Sequence, residues 1–124
     1  MKKRIIFAED NRATMRLYQK LISRLPSWEG YFCNNFDEAA KEITSKKYDV
    51  IVSDGNTGAA INGEEFLSKV SRVSPNTLRI LISASMETGN SEVIHLFINK
   101  IYFAAGQFSD ILKSLEGDVV CHSA

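Results

Sequence analysis

The sequence predicts a doubly wound α/β domain built on a parallel, five-stranded sheet. Short apolar runs alternate with amphipathic segments along the chain, the pattern of successive βα units. The run Val50-Ile51-Val52 is β-branched and lacks polar alternation, as expected of a strand buried on both faces of a parallel sheet. Two such runs end abruptly in carboxylates: Ile5-Ile6-Phe7-Ala8 in Glu9-Asp10, and Val50-Ile51-Val52-Ser53 in Asp54, which Gly55 follows. Open α/β sheets place their ligands at the carboxyl ends of such strands.

Taken in order, Ile5–Ala8 is the first strand. The first helix spans Arg12–Leu25, with Met15, Tyr18, Leu21 and Ile22 at helical spacing, Asn11 as its cap and Pro26 as its stop. Trp28 falls in the loop before a short second strand, Tyr31–Cys33, and Asp37 begins a second helix that runs to Lys46. Val50–Ser53 is the third strand. A glycine-containing loop from Gly55 to Gly63 leads into a third helix, Glu64–Val73, with Phe66, Leu67 and Val70 inward. Pro75-Asn76 turns the chain into the fourth strand, Leu78–Ser83.

The stretch that follows has two readings. If the fifth strand is Val93–Ile98, only Ala84 to Glu92 remains for the crossover, short for a helical connection between parallel strands. Otherwise Ser91 caps a helix through Asn99 with Val93, Ile94, Phe97 and Ile98 inward. The fifth strand is then Ile101–Ala105, and Ser109 caps a last helix, Asp110–Leu115. The second reading keeps every crossover at a sensible length and is preferred; right-handed crossovers then give the doubly wound sheet.

A chain of 124 residues is one domain with room for its own core, here residues 1–116, with 117–124 as a tail or the start of a linker. Fifteen basic and 15 acidic residues cancel, so no electrostatic footprint points to nucleic acid or a membrane surface. Lys2-Lys3-Arg4 precedes an apolar run far too short for a signal peptide or a membrane span. Cys33 and Cys121 form neither a disulfide framework nor a metal-binding spacing. Cys33 reads as a buried free thiol, and a reducing cytoplasm is the default compartment. His95 falls on the polar side of its helix and His122 in the tail.

Carboxylates gathered at neighbouring strand ends repel one another unless a divalent cation neutralises them. Hard oxygen ligands in an open geometry suit magnesium, which retains water and recruits phosphate oxygens. An aspartate in such a site can attack phosphorus and form an acyl phosphate. Ser83, at the end of the neighbouring strand, could donate a hydrogen bond to a phosphoryl oxygen. Each residue also has a plainer role: Asp54 as a turn cap, Glu9-Asp10 as a helix N-terminal acidic pair, and Ser83 as a buried hydroxyl.

In this order and spacing the chain resembles the receiver domain of two-component response regulators, over nearly its whole length. The resemblance rests on Glu9-Asp10 after the first strand, Asp54 as the phosphoacceptor, and Ser83-Ala84 after Leu78-Arg79-Ile80-Leu81-Ile82. Gly63-Glu64-Glu65-Phe66-Leu67 and Ser74-Pro75-Asn76-Thr77 also look like that family's third helix and the following turn. It implies a flavodoxin-like, three-layer α/β sandwich. It also implies that Asp10, Asp54 and the Asn56 backbone carbonyl ligate Mg2+, with Glu9 acting mainly through water. The phosphoryl donor would be a sensor histidine kinase or a phosphotransfer protein, and the protein would catalyse only its own phosphorylation and dephosphorylation. An effector domain could follow in a longer chain.

The pattern is not complete. Gly58 stands where the family usually has proline, and Gly63 lies one residue further from Asp54 than usual. On the preferred reading, Gly106-Gln107 replaces the lysine and proline expected after the fifth strand. Lys100 is then a surface residue at a helix end, and Tyr102 is the switch aromatic. On the other reading Lys100 is that lysine and Phe97 the aromatic. Loss of the lysine would make the chain a degenerate receiver, a protein-interaction module independent of phosphorylation. A small magnesium-dependent hydrolase is disfavoured, because Asn56 stands where a second acid would be needed.

Overall fold

The computed structural model describes residues 2–55, 61–84, 92–100, 103 and 105–123, of which 105 and 117–123 are described by their backbone. The elements are β1 (Lys3–Ala8), α1 (Arg12–Ser23), β2 (Trp28–Cys33), α2 (Phe36–Ser45), β3 (Val50–Asp54), α3 (Gly63–Val73), β4 (Leu78–Ser83), β5 (Leu96–Asn99) and α4 (Ala105–Ser123). The five strands pair in parallel in the order β2-β1-β3-β4-β5, so the chain reverses direction across the sheet between β1 and β3. The expected fold class is the observed one.

Local chemistry accounts for the helix starts. Asn11, Asn35 and Asn62 are extended N-caps whose side chains accept the amides of Thr14, Glu38 and Glu65 at 2.8–2.9 Å. Glu65 returns the bond to the Asn62 amide, which completes a capping box at α3. Strand alternation then sorts the apolar side chains into two layers. Ile5, Phe7, Val50, Val52, Ile80 and Ile82 pack with Tyr18 and Ile22 of α1 and with Phe108 and Leu112 of α4. On the other face Ile6, Ala8, Ile51 and Leu81 pack with Phe36 and Ile43 of α2 and Phe66 and Val70 of α3. Both faces of the central strands are therefore covered, which is why β3 reads as a continuous apolar run. Cys33 is fully buried, and burial pushes its thiol up to about 12. No helix among the described residues is long and apolar enough to cross a membrane.

The structure corrects the preferred reading after β4. Residues 92–95 are turn and irregular chain, and Leu96–Asn99 is the fifth strand, in register with Ile80–Ser83. The helix expected over Ser91–Asn99 is not formed, and the fifth strand does not lie at Ile101–Ala105. The connection from β4 to β5 spans 84–95, the dozen residues that a parallel crossover needs. Ile94 is buried against the α2–α3 layer from the turn, which supplied part of the misleading helical period. α4 begins at Ala105, so Ser109 lies inside it, and the helix continues past Leu115 to Ser123. Trp28 belongs to β2 and is buried, and its indole N–H donates to Glu116 Oε2 at 2.9 Å.

Candidate functional site

The carboxyl ends of β1, β3, β4 and β5 converge on one end of the sheet. Glu9 and Asp10 follow β1, Asp54 ends β3, Ser83 ends β4 and Lys100 follows β5. One carboxylate oxygen from each of Glu9, Asp10 and Asp54 lies within 4.8 Å of the other two. Glu9 is 1% and Asp54 7% exposed, whereas Asp10 is open to solvent.

Lys100 closes the acidic cluster. Its Nζ stands 2.8 Å from Asp54 Oδ1 and 3.6 Å from Glu9 Oε1. It is therefore not a surface residue at a helix end, and Gly106 and Gln107, exposed in α4, do not occupy the lysine's place. Burial pulls the Lys100 ammonium down, but its bond to Asp54 and the Glu9 carboxylate outweigh that, and its pKa is raised. Asp54 Oδ1 also accepts the Gly55 amide at 2.8 Å. Glu9 Oε2 accepts the Asn11 amide at 3.1 Å, but the buried Oε1 has no hydrogen-bond partner. Burial pushes the Glu9 carboxyl up, Asp54 and Asp10 push it further, and the Asn11 amide and Lys100 offset only part.

That buried, unbonded oxygen beside two further carboxylates is a test of metal fit, and it is met. Three hard oxygen donors, one of them solvent-facing, suit an ion that keeps several waters. Glu9, Asp10 and Asp54 are the side chains that would hold Mg2+. Asn56, whose carbonyl was expected to join them, lies outside the described residues, as does Tyr102.

Glycines let the strand ends approach. The Ser83 hydroxyl lies directly against Gly55, the residue after Asp54, where a Cβ would collide with it. A Cβ on Gly63 would fall on the Asp54 carbonyl oxygen and 2.9 Å from Leu81 Cδ1, and the Gly63 amide donates to the Gly55 carbonyl at 2.8 Å. Phe97, on β5, pairs with Leu81 of β4 and is partly buried against the α2–α3 layer. Two further residues stand at the β4–β5 entry, Arg79 and His95, to which the motif reading gives no role. A lone cation inside the apolar run Leu78–Ile82 was the available signal for the first.

No protein-family model matches the sequence, and no curated protein matches it. Solved structures do. A signal receiver domain of an HD domain-containing protein from Pseudomonas fluorescens superposes with a TM-score of 0.81 at 18% identity, covering 98% of this chain and 93% of that one. A CheY-like receiver domain protein from Methanospirillum hungatei gives 0.78 at 17% identity, covering 95% and 94%. A response regulator protein from Thermotoga maritima, solved in complex with Mg2+ and BeF, gives 0.78 at 22% identity, covering 91% and 98%. From the sheet order to the placement of its strand ends, the chain has the fold of the response-regulator receiver domains.

Proposed function

We propose that this chain is a phosphorylation-dependent receiver of a two-component system, working in the cytoplasm, with Asp54 as the phosphoacceptor. An Asp54 carboxylate oxygen attacks the phosphorus of a phosphohistidine on a sensor kinase or phosphotransfer protein. The new P–O bond makes an acyl phosphate, the P–N bond breaks, and its electron pair returns to the donor imidazole. Glu9, Asp10, Asp54 and the Asn56 carbonyl would hold Mg2+, whose charge, when bound, offsets that of the transferring group. Lys100 exchanges its bond to Asp54 for one to a phosphoryl oxygen, and the Ser83 hydroxyl donates to another. The same residues would serve the reverse loss of phosphate to water.

The observation that carries this reading is the 2.8 Å ion pair between Lys100 and Asp54. It supports phosphotransfer over the degenerate receiver, which would lack that lysine. Output follows from a shift between two arrangements of Ser83 and an aromatic on β5, for which Phe97 is the candidate. A partner protein or an effector domain in a longer chain would read that change.

Intact-mass spectrometry after incubation with Mg2+ and acetyl phosphate tests the proposal. Wild type should gain one phosphoryl group and Asp54→Asn none. Lys100→Ala should slow adduct formation by about a hundredfold, the typical cost of one transition-state donor. An unmodified wild type that also fails to bind beryllofluoride would sink the proposal in favour of the degenerate reading.

A further inference from the structure

β5 is weakly secured for a strand that must deliver Lys100. It is four residues long, lies at the sheet edge, and every residue in it is only partly buried. Leu96, Phe97 and Ile98 are apolar in succession, so a slip of one residue would still offer an apolar side chain to each face. Such a slip would bring Asn99 or Ile101 to the place of Lys100. Of the described residues in the connection before it, 84 and 92–95, none is helical. Besides the burial of Ile94, polar contacts at its entry fix where β5 begins.

Arg79 occupies that position. The pair Ile80–Leu96 opens the β4–β5 register, and Arg79 and His95 stand immediately before it. The His95 amide donates to the Arg79 carbonyl at 2.9 Å, and the Arg79 amide donates to His95 Nδ1 at 2.9 Å. The Arg79 side chain belongs to a residue only 5% exposed. Its Nε donates to the Val93 carbonyl at 2.6 Å, and its Nη1 to the carbonyls of Pro75 and Thr77 at 3.2 and 3.1 Å. One guanidinium thus ties the turn that enters β4 to the segment that enters β5.

Burying a guanidinium is costly, and an aliphatic residue would suit the packing of a strand that otherwise reads Leu78, Ile80, Leu81, Ile82. What the arginine adds is a planar fork of donors in fixed geometry, spent here on backbone carbonyls. The geometry points to Arg79, with His95 as its acceptor, as the positioning residue for Lys100: it fixes where β5 starts and therefore which residue faces Asp54. Its consequence for phosphotransfer rests on the function proposed above; the positioning itself needs no phosphodonor.

Acetylation of the folded protein by an amine-reactive ester, followed lysine by lysine in peptide mass spectra, tests the assignment. Exposed Lys41 and Lys69 serve as references. Lys100, held by Asp54, should label several-fold more slowly than either. Arg79→Met and His95→Ala should each speed Lys100 labelling about fivefold, the scale of one net hydrogen bond, and leave the references unchanged. Arg79→Lys, which keeps one donor group, should fall between. Unchanged Lys100 labelling in these variants overturns the assignment, and so does a rise shared by Lys41 and Lys69, which would mean general loosening. If Arg79→Met does not fold, His95→Ala, altered at an exposed side chain, decides by the same criteria.

A second arm uses Mg2+ and acetyl phosphate. Arg79→Met should slow adduct formation in the wild-type background and add nothing in Lys100→Ala; additive losses overturn a role through Lys100. A wild type that forms no adduct overturns the proposed function, while the labelling still judges Arg79.

Discussion

Asp54 owes its place to a neighbour without a side chain. The Gly63 α-carbon sits so close to the Asp54 carbonyl that a methyl group there must displace backbone, not a flexible side-chain end. Gly63→Ala should therefore lower stability by about 2 kcal/mol in urea unfolding, within the range for overpacked sites, and weaken Mg2+ binding with it. Gly106→Ala is the matched control: a Cβ at Gly106 meets nothing within 4 Å, and the position is helical. It should gain about 0.5 kcal/mol, since glycine carries an entropic cost in helices. Equal stability of Gly63→Ala and wild type would contradict the close approach. Glu9, Asp10, Asp54 and Ser83 were legible in the sequence because each ends an apolar run, and strand ends are where this architecture places polar groups. Gly63 was legible only as a spacing; its reason, the carbonyl it leaves room for, is tertiary. Lys100 had a site role on only one of the two readings, since a lysine's role depends on which strand it follows.

That strand is where local pattern misled. Val93, Ile94, Phe97 and Ile98 fit a helical period, and a short apolar run cannot be told from a helix by period alone. The turn at 92–95 resolves the conflict: Ile94 is buried from the turn, while Phe97 and Ile98 are strand residues. Trp28 was missed for a related reason, because its partner, Glu116, lies 88 residues away. The entry to β5 should also respond to pH. Nδ1 of His95 accepts the Arg79 amide, so it must be unprotonated in the paired strand. Partial loss of water around the ring, and then the Arg79 charge, lower the His95 pKa from its ordinary 6.5. A lowered folded-state pKa means that stability is fully present above the unfolded value and is lost as pH falls through the folded one. The urea midpoint should fall between pH 7 and about 5, and fall less in His95→Gln, whose amide can accept the same bond without titrating. Parallel pH profiles for the two proteins would show that His95 does not carry the effect.

Across the whole molecule, the sheet order and both core layers follow from alternation within strands and helical period between them, which is why the fold was legible although one crossover was not. The same fold gathers negative charge in a place that works against its own stability. Glu9 is buried with one oxygen lacking a hydrogen bond, and Asp54 and Asp10 stand beside it. Lys100 and the Asn11 amide relieve part of that, yet the Glu9 pKa stays above its ordinary 4.5. For an acid, a raised folded-state pKa means stability that is full below the ordinary value and lost as pH rises through the folded one. At neutral pH in chelator the cluster therefore costs the fold stability, and a cation at the cluster should restore it. Glu9→Gln, which keeps the shape and removes the charge, should unfold at higher urea than wild type in chelator at pH 7. Mg2+ at about a hundred times its Kd should stabilise wild type by about 2.7 kcal/mol, by mass action on the folded state. The same Mg2+ should give the variant much less. A variant weaker than wild type in chelator would mean that Glu9 stabilises the fold, and one that gains as much from Mg2+ that Glu9 takes no part in holding the ion.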